Sequence, residues 1–556
     1  MINRFLSRAF SLLLTLASLV ACRSSSPASE EADLIVYNAQ VYTVDAEFSV
    51  AEAFAVRDGK FLQIGSSEAI RQKYQAGEEV DAQGQPVYPG FIDAHCHFYR
   101  YALGLREADL TAAPTFAEVV RRLVEHQGRN PDAAWITGRG WDQNLWPGQQ
   151  FPVKDTLDLL FPNTPVFLTR VDGHAALANQ RALELGQVTA ATPVSGGQIV
   201  LQGRRITGVL VDNAMSLVSR HLPDPGEAEK RTLLQLAEQN CFAVGLTSLT
   251  DAGLEKGDID LMDAMQKEGG LQIRLYAMLS PSPENQEHYF THGPYQTDRM
   301  HVRSFKVYGD GALGSRGACL LQPYHDQSQH YGFLLQAPEE FRRIAQLLYE
   351  KGFQMNTHAI GDSTNRYILD VYRQTLKGKN DRRWRIEHAQ VVHPADVPKF
   401  GLHSILPSIQ PTHATSDMYW APERLGPERI SHAYPYQDLL RQNNLVPLGS
   451  DFPVEDINPL YGFHAAVARQ DAQNFPAGGF QPQNALSREE ALRGMTGWAA
   501  YASFEETLKG SIEAGKFADF VVLETDLMQA PLAQTRTIQV MSTYVAGKKV
   551  YGAEKR

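Results

Sequence analysis

Gly90-Phe-Ile-Asp-Ala-His-Cys-His97 is an apolar, β-prone run that ends in two histidines one residue apart. Side chains alternate faces along a strand, so His95 and His97 point together while Cys96 points into the wall, which makes Cys96 a poor ligand. Outward from it, seven more short apolar runs finish in polar or glycine-containing clusters, at 246–251, 273–279, 305–309, 353–358, 384–388, 406–410 and 446–451. Helix-like stretches separate most of them, and residues 227–243 have the spacing of the first barrel helix. Eight alternations of strand and helix predict an α/β fold, a (β/α)8 TIM-type barrel, with its active site at the C-terminal strand ends.

The polar residues fall at those ends. His95 and His97 close strand one, Lys306 lies on strand four, His358 ends strand five, His388 ends strand six and Asp451 ends strand eight. Four imidazoles and a carboxylate on one rim call for a positive group to hold them, and a divalent metal does so. His393, His403 and His432 carry no assignment, nor does His413, although it follows strand seven and has a path to the mouth.

About 150 residues separate the first two strands, where a barrel unit takes roughly 30. An insertion at about 99–222 is therefore expected, leaving the catalytic face and covering the site. The rest of residues 89–504 would be the barrel. Residues 33–88 carry an Asp58-Gly59 hairpin signal between alternating apolar positions, and 505–556 have the same character. One small β-sandwich domain built from both chain ends follows, with Asp519 part of it.

A chain of 556 residues with 43% hydrophobic and 21% charged residues is globular rather than disordered, and large enough for attached pieces around one core. With 52 Lys+Arg against 63 Asp+Glu, a net charge of −11, it lacks the basic footprint of a nucleic-acid binder. At the N-terminus Arg4 and Arg8 precede an apolar run over 9–20, too short to span a bilayer. It ends Leu19-Val-Ala-Cys22, which resembles the lipobox of bacterial lipoproteins. Residues 1–21 are then a signal peptide, Cys22 the lipidated anchor and 22–32 a flexible tether, which places the protein on the periplasmic side of the cell envelope, at the outer membrane. Cys96, Cys241 and Cys319 remain, an odd number that cannot all pair within the chain.

The motifs together resemble the amidohydrolase superfamily, in the amidohydrolase-3 branch that includes N-substituted formamide deformylases. Those that carry the resemblance are Pro89-Gly-Phe-Ile-Asp-Ala-His-Cys-His97, Lys306-Val-Tyr-Gly-Asp-Gly, Thr357-His-Ala-Ile-Gly-Asp362, Arg385-Ile-Glu-His-Ala-Gln390 and Gly449-Ser-Asp-Phe-Pro-Val454. Gly138-Arg-Gly-Trp-Asp142 and Arg170-Val-Asp-Gly-His174 join them from the insertion, and Gly317 departs where threonine is expected. The resemblance implies one or two divalent metals per chain, zinc first among them. In the two-metal version His95, His97 and Asp451 bind one ion, His358 and His388 the other, and a carbamylated Lys306 bridges them. The alternative for Lys306 is a free amine paired with Asp310 or with a substrate carboxylate. Asp451 is the candidate base as well as a ligand, and Arg316, His174 and Trp141 are the candidate substrate contacts. The implied activity is hydrolysis of amide, cyclic amide or N-formyl C–N bonds in a small molecule. A one-metal barrel deaminase and a lipid-anchored binding protein without turnover stand as alternatives.

Overall fold

The computed structural model describes residues 29–553. The expected signal peptide, Cys22 and most of the expected tether lie outside the described residues. Seven strands, β1 (Phe91–Cys96), β2 (Leu246–Leu254), β3 (Arg274–Leu279), β4 (Met300–Tyr308), β5 (Gln354–Ala359), β6 (Arg385–His388) and β7 (Leu406–Ser408), pair in parallel in chain order.

The eighth run, 446–451, is not a regular strand. It makes one parallel bridge, Ile409 to Leu448, yet it spans the gap between the edges. Ile409 N donates to Pro447 O and Gly449 N to Ile409 O on the β7 side, while Ala94 N donates to Leu448 O on the β1 side. Pro447 has no N–H to give a ladder. A Cβ on Gly449 would sit 2.5 Å from His95 N and 2.8 Å from Asp93 Oδ1, so only glycine lets the two backbones approach this closely. The result is a nearly closed parallel barrel in a mixed α/β fold.

Strands buried on both faces read as continuous apolar runs, and every residue of β3 is buried. The helices outside them follow the 3.6 period. In Pro338–Lys351 the buried residues Phe341, Ile344, Ala345 and Leu348 share one face, with Pro338 in the first turn and Gly352 ending the helix at φ 79°. Each large side chain buried in this way contributes about 1.5–3 kcal/mol.

Both chain ends supply two further sheets, a four-stranded one from residues 30–81 and a six-stranded one that pairs Pro86–Pro89 with Phe520–Leu523. Leu34, Phe54 and Phe61 from one sheet share a core with Val87, Phe520 and Tyr544 from the other. Asp58 and Gly59, at φ 52° and 72°, make the expected hairpin turn. Between β1 and the helix Glu227–Ala243 lies another six-stranded sheet, running from Ala108–Asp109 to Arg205–Asp212, with its own core around Trp141 and Trp146. Among the described residues no helix is long and apolar enough to cross a membrane.

Candidate functional site

The rim residues meet where β1 and the closing segment cross. Asp93 on β1 accepts the Ser450 hydroxyl at 2.6 Å and the His95 N–H at 3.0 Å, and Asp451 N donates to His95 O at 2.8 Å. These bonds hold Asp451 at φ 63° and its carboxylate beside the two histidines. His388 is likewise at φ 75°. Non-glycine residues are uncommon at such angles and gather at functional sites, where surrounding contacts hold them.

The ring orientations decide what the cluster can bind. His97 Nδ1 donates to Ala252 O at 2.9 Å, so its Nε2 lone pair faces Asp451 Oδ1 at 3.3 Å. His95 Nδ1 donates to Glu387 Oε2 at 2.5 Å, leaving its Nε2 3.5 Å from the same oxygen and 2.9 Å from Lys306 Nζ. Among the described residues Asp451 Oδ1 has no hydrogen-bond donor, and neither His388 Nδ1 nor His413 Nε2 has a hydrogen-bond partner. Burial lowers the imidazole of His97 to about 3 and those of His358 and His388 well below the usual range. Neutral imidazole is the ligating form. Burial alone would raise Asp451, but His97, His388 and His95 hold it well below the carboxylate range. Acceptor lone pairs that face a carboxylate with no proton between them repel unless a cation sits among them, and His/carboxylate donors suit zinc and several other divalent ions. The residues present therefore fit a metal.

Two sets of ligand atoms lie within 4.8 Å of one another, His95/His97/Asp451 and His388/His413/Asp451. The second set differs from the expected one. His413, unassigned from the sequence, is carried to the rim by the first turn of the helix Pro411–Asp417 that follows β7. His358 meets His388 edge to face with ring centroids 4.5 Å apart, but its Nε2 faces Gly311 O at 3.5 Å and Asp310 Oδ1 at 3.6 Å, so it joins neither set. Lys306 does not pair with Asp310. That carboxylate is taken by the backbone N–H groups of Cys319, Ile360 and Gly361 at 2.8–3.0 Å, and burial raises it to about 7. Burial lowers Lys306 itself to about 8.

Of the three expected substrate contacts one lines the cavity. His174 does so, its Nδ1 bonded to Asp212 at 2.6 Å and its ring 5.0 Å from that of His358. Trp141 is corrected to a packing residue. It is 1% exposed, donates to Leu168 O and packs among Trp146 and Phe151 in the core of the insertion, because a register shift at Gly140 breaks the alternation of Ile136–Trp141 and turns Trp141 inward. Arg316 is corrected too. Its guanidinium turns away to Asp326 at 2.7 Å, and it is not among the residues that line the cavity.

Glu387 was overlooked. Burial would raise its carboxyl, but Arg385 and His95 hold it far below the carboxylate range. Arg385 grips it at 2.6 Å and reaches back to Ala94 O. The signal was present in Arg385-Ile-Glu387, two opposite charges on one face of a buried strand.

An inner cavity of about 280 Å³ holds Asp451, Lys306, His358 and His388 against Arg139, Asp172, His174 and Asp212 from the insertion. It opens into a larger space of about 860 Å³ walled by Asp417, Tyr419, Trp420 and Glu455. Arg139 is lowered to about 10 by burial and then by the charge of Arg100.

A family model described as the amidohydrolase family matches residues 78–551. The chain is 32% identical over 543 residues to Protein LONG AFTER FAR-RED 3 of Arabidopsis thaliana, covering 94% of this chain and 92% of that protein. It is 29% identical over 543 residues to N-substituted formamide deformylase of Arthrobacter pascens, covering 93% and 97%. The crystal structure of an uncharacterized metal-dependent hydrolase from Pyrococcus horikoshii superposes with a TM-score of 0.73 at 26% identity, covering 90% of this chain and 99% of that one. With these motifs on a barrel of this geometry and a family match over most of its length, the chain belongs to the amidohydrolase family.

Proposed function

We propose that this chain is a metal-dependent hydrolase that cleaves amide, cyclic amide or N-formyl C–N bonds of small molecules. The observation that carries the reading is Asp451 Oδ1, without a donor and facing His97 Nε2 at 3.3 Å and His95 Nε2 at 3.5 Å. The likeness to an N-substituted formamide deformylase supports the choice of bond. On this reading the 446–451 segment serves as the eighth strand of a (β/α)8 barrel.

His95, His97 and Asp451 hold one ion, with His388 and either His413 or His358 available for a second. A bound divalent metal, zinc first among candidates, supplies Lewis acidity and water that ionises near neutral pH. Asp451 accepts the proton of the attacking water and returns it to the leaving nitrogen, so an amide yields a carboxylate and an amine. Burial lowers Lys306, which enlarges the share of neutral amine able to take up carbon dioxide, and as a carbamate it would offer anionic oxygens to a bound metal. Glu387 fixes the His95 tautomer, so that Nε2 remains the ligand atom.

Elemental analysis of protein purified without chelator is expected to give one or two divalent ions per chain. Glu387→Gln is expected to weaken metal affinity by about 10–100-fold. Unchanged affinity in that variant would remove the tautomer role, and a protein that takes up no metal with bicarbonate present would end the hydrolase reading.

The lipobox-like Leu19-Val-Ala-Cys22 supports a lipid-anchored protein at the periplasmic face of the envelope. Wild type is expected in the detergent phase on partitioning, and Cys22→Ser in the aqueous phase. Identical partitioning of the two rules the anchor out.

A further inference from the structure

Arg139 and Arg100 line the inner cavity and Arg170 the larger space beside it, and among the described residues only Arg170 of the three is paired with carboxylates. Arg170 bonds Asp142 and Asp172, and its Nε donates to Gln143. Arg139 makes a single hydrogen bond, from Nη2 to Val171 O at 3.2 Å, and its Nε is buried with no partner. Arg100, from the helix Phe98–Gly104 that directly follows His97, makes neither a hydrogen bond nor an ion pair among the described residues. Both guanidiniums lie against Gly173, where a Cβ would sit 3.5 Å from Arg139 Nη2 and 3.9 Å from Arg100 Nη1.

Two like charges brought together repel, and the buried Arg139 Nε–H left unmade carries its full desolvation cost. The carboxylates that share this cavity form no ion pair with either arginine among the described residues, although the charges of Asp451 and Asp172 act on Arg139. Asp172 is taken by Arg170 at 2.5 Å, Asp212 by His174 at 2.6 Å, and Asp451 faces His97 at 3.3 Å. Glu107, on the adjoining outer wall, makes no ion pair with either arginine among the described residues, although burial raises its carboxyl and the charges of Arg139, Arg106 and Arg100 draw it back. An anion entering from solvent is the missing partner, and arginine's planar fork fits a carboxylate.

The geometry points to a substrate-carboxylate subsite formed by Arg139 and Arg100, which makes the substrate an N-acyl or N-formyl amino acid rather than a neutral amide. The site lies on the same cavity as Asp451 and Lys306, so the carboxylate would sit beside the bond to be cut. Arg139 comes from the sheet of the insertion and Arg100 from the helix Phe98–Gly104 that leads into it, so this part of the chain sets specificity while the barrel carries the chemistry. The substrate class rests on the hydrolase reading above, but the anion subsite does not.

The test is calorimetric binding of 3-phenylpropanoate and of its neutral amide, 3-phenylpropanamide, to wild type, Arg139→Met and Arg100→Met, with metal loaded and after chelation. The carboxylate is expected to bind wild type about tenfold or more tightly than the amide, a difference of about 1.4 kcal/mol. That preference should persist after chelation and fall in both variants. Equal binding of the two probes in wild type overturns the subsite. So does a preference that vanishes on chelation yet survives in the variants, because the metal then holds the carboxylate. Should Arg139→Met fail to fold, Arg100→Met decides, since Arg100 is exposed and no packing depends on it. Because binding is read without turnover, a carboxylate preference in a protein that cleaves no N-formyl amino acid would refute the hydrolase reading and leave the subsite standing. Turnover without the preference would do the reverse.

Discussion

Replacing Asp451 by asparagine is expected to lower turnover about a thousandfold while leaving the melting temperature close to that of wild type. The fold tolerates the change because the backbone there, at φ 63°, suits asparagine at least as well as aspartate. What positions the residue is main-chain bonding, Asp451 N to His95 O and Val454 N to Asp451 O, both at 2.8 Å, and the substitution leaves these in place. An amide cannot accept and return the proton, and it brings an N–H₂ donor into a cluster of lone pairs that needs a cation. Steady-state kinetics alongside metal content separate the two roles. Lost turnover with metal retained marks the residue as the base, lost metal marks it as a ligand above all, and near-normal turnover with full metal removes it from the mechanism.

Replacing Asp519 by alanine is expected to be among the most destabilising single substitutions, costing about 3–5 kcal/mol. Its carboxylate receives Arg274 Nε at 2.6 Å and Nη2 at 3.0 Å, and the two side chains are only 3% and 4% exposed. It also accepts the Ala546 N–H at 2.8 Å. Arg274 begins β3, and Asp519 precedes the strand Phe520–Leu523 of the terminal sheets, so the pair ties the barrel to the structure formed by the chain ends. Alanine strands a buried guanidinium whose remaining contacts are Asp298 O and the face of the Phe517 ring, 3.8 Å away. A denaturation midpoint measures the loss. The double variant Arg274→Met/Asp519→Leu should recover most of it, since an apolar pair leaves no unpaired charge. If Asp519→Ala unfolds like wild type, the ion pair contributes nothing to the joint.

Local sequence was enough to read the barrel's strands and the rim residues. Strand geometry is short-range: an apolar run long enough to cross the barrel, ending in a polar cluster, already says which residue reaches the catalytic face, as His95, His97, His388 and Asp451 show. Glu387 was also within reach, two residues from Arg385 on one face of a buried strand. Trp141 was not legible because the same aromatic serves a pocket or a core, and simple alternation would set it beside Thr137 and Arg139; the register shift between Arg139 and Trp141 turns it inward instead.

By itself, then, the sequence determined the parallel strands, the alternation with helices, the insertion between the first two strands and the cluster of histidines with one aspartate. Tertiary structure alone decided how those parts meet. It brought His413 beside Asp451 and His388, turned Arg316 away to Asp326, and set Arg139 and Arg100 against Gly173. The reason is physical: a strand's facing follows from its own backbone period, whereas which side chains meet across a cavity depends on loop paths, and those are fixed by hydrogen bonds between residues hundreds of positions apart, such as Asp93 to Ser450.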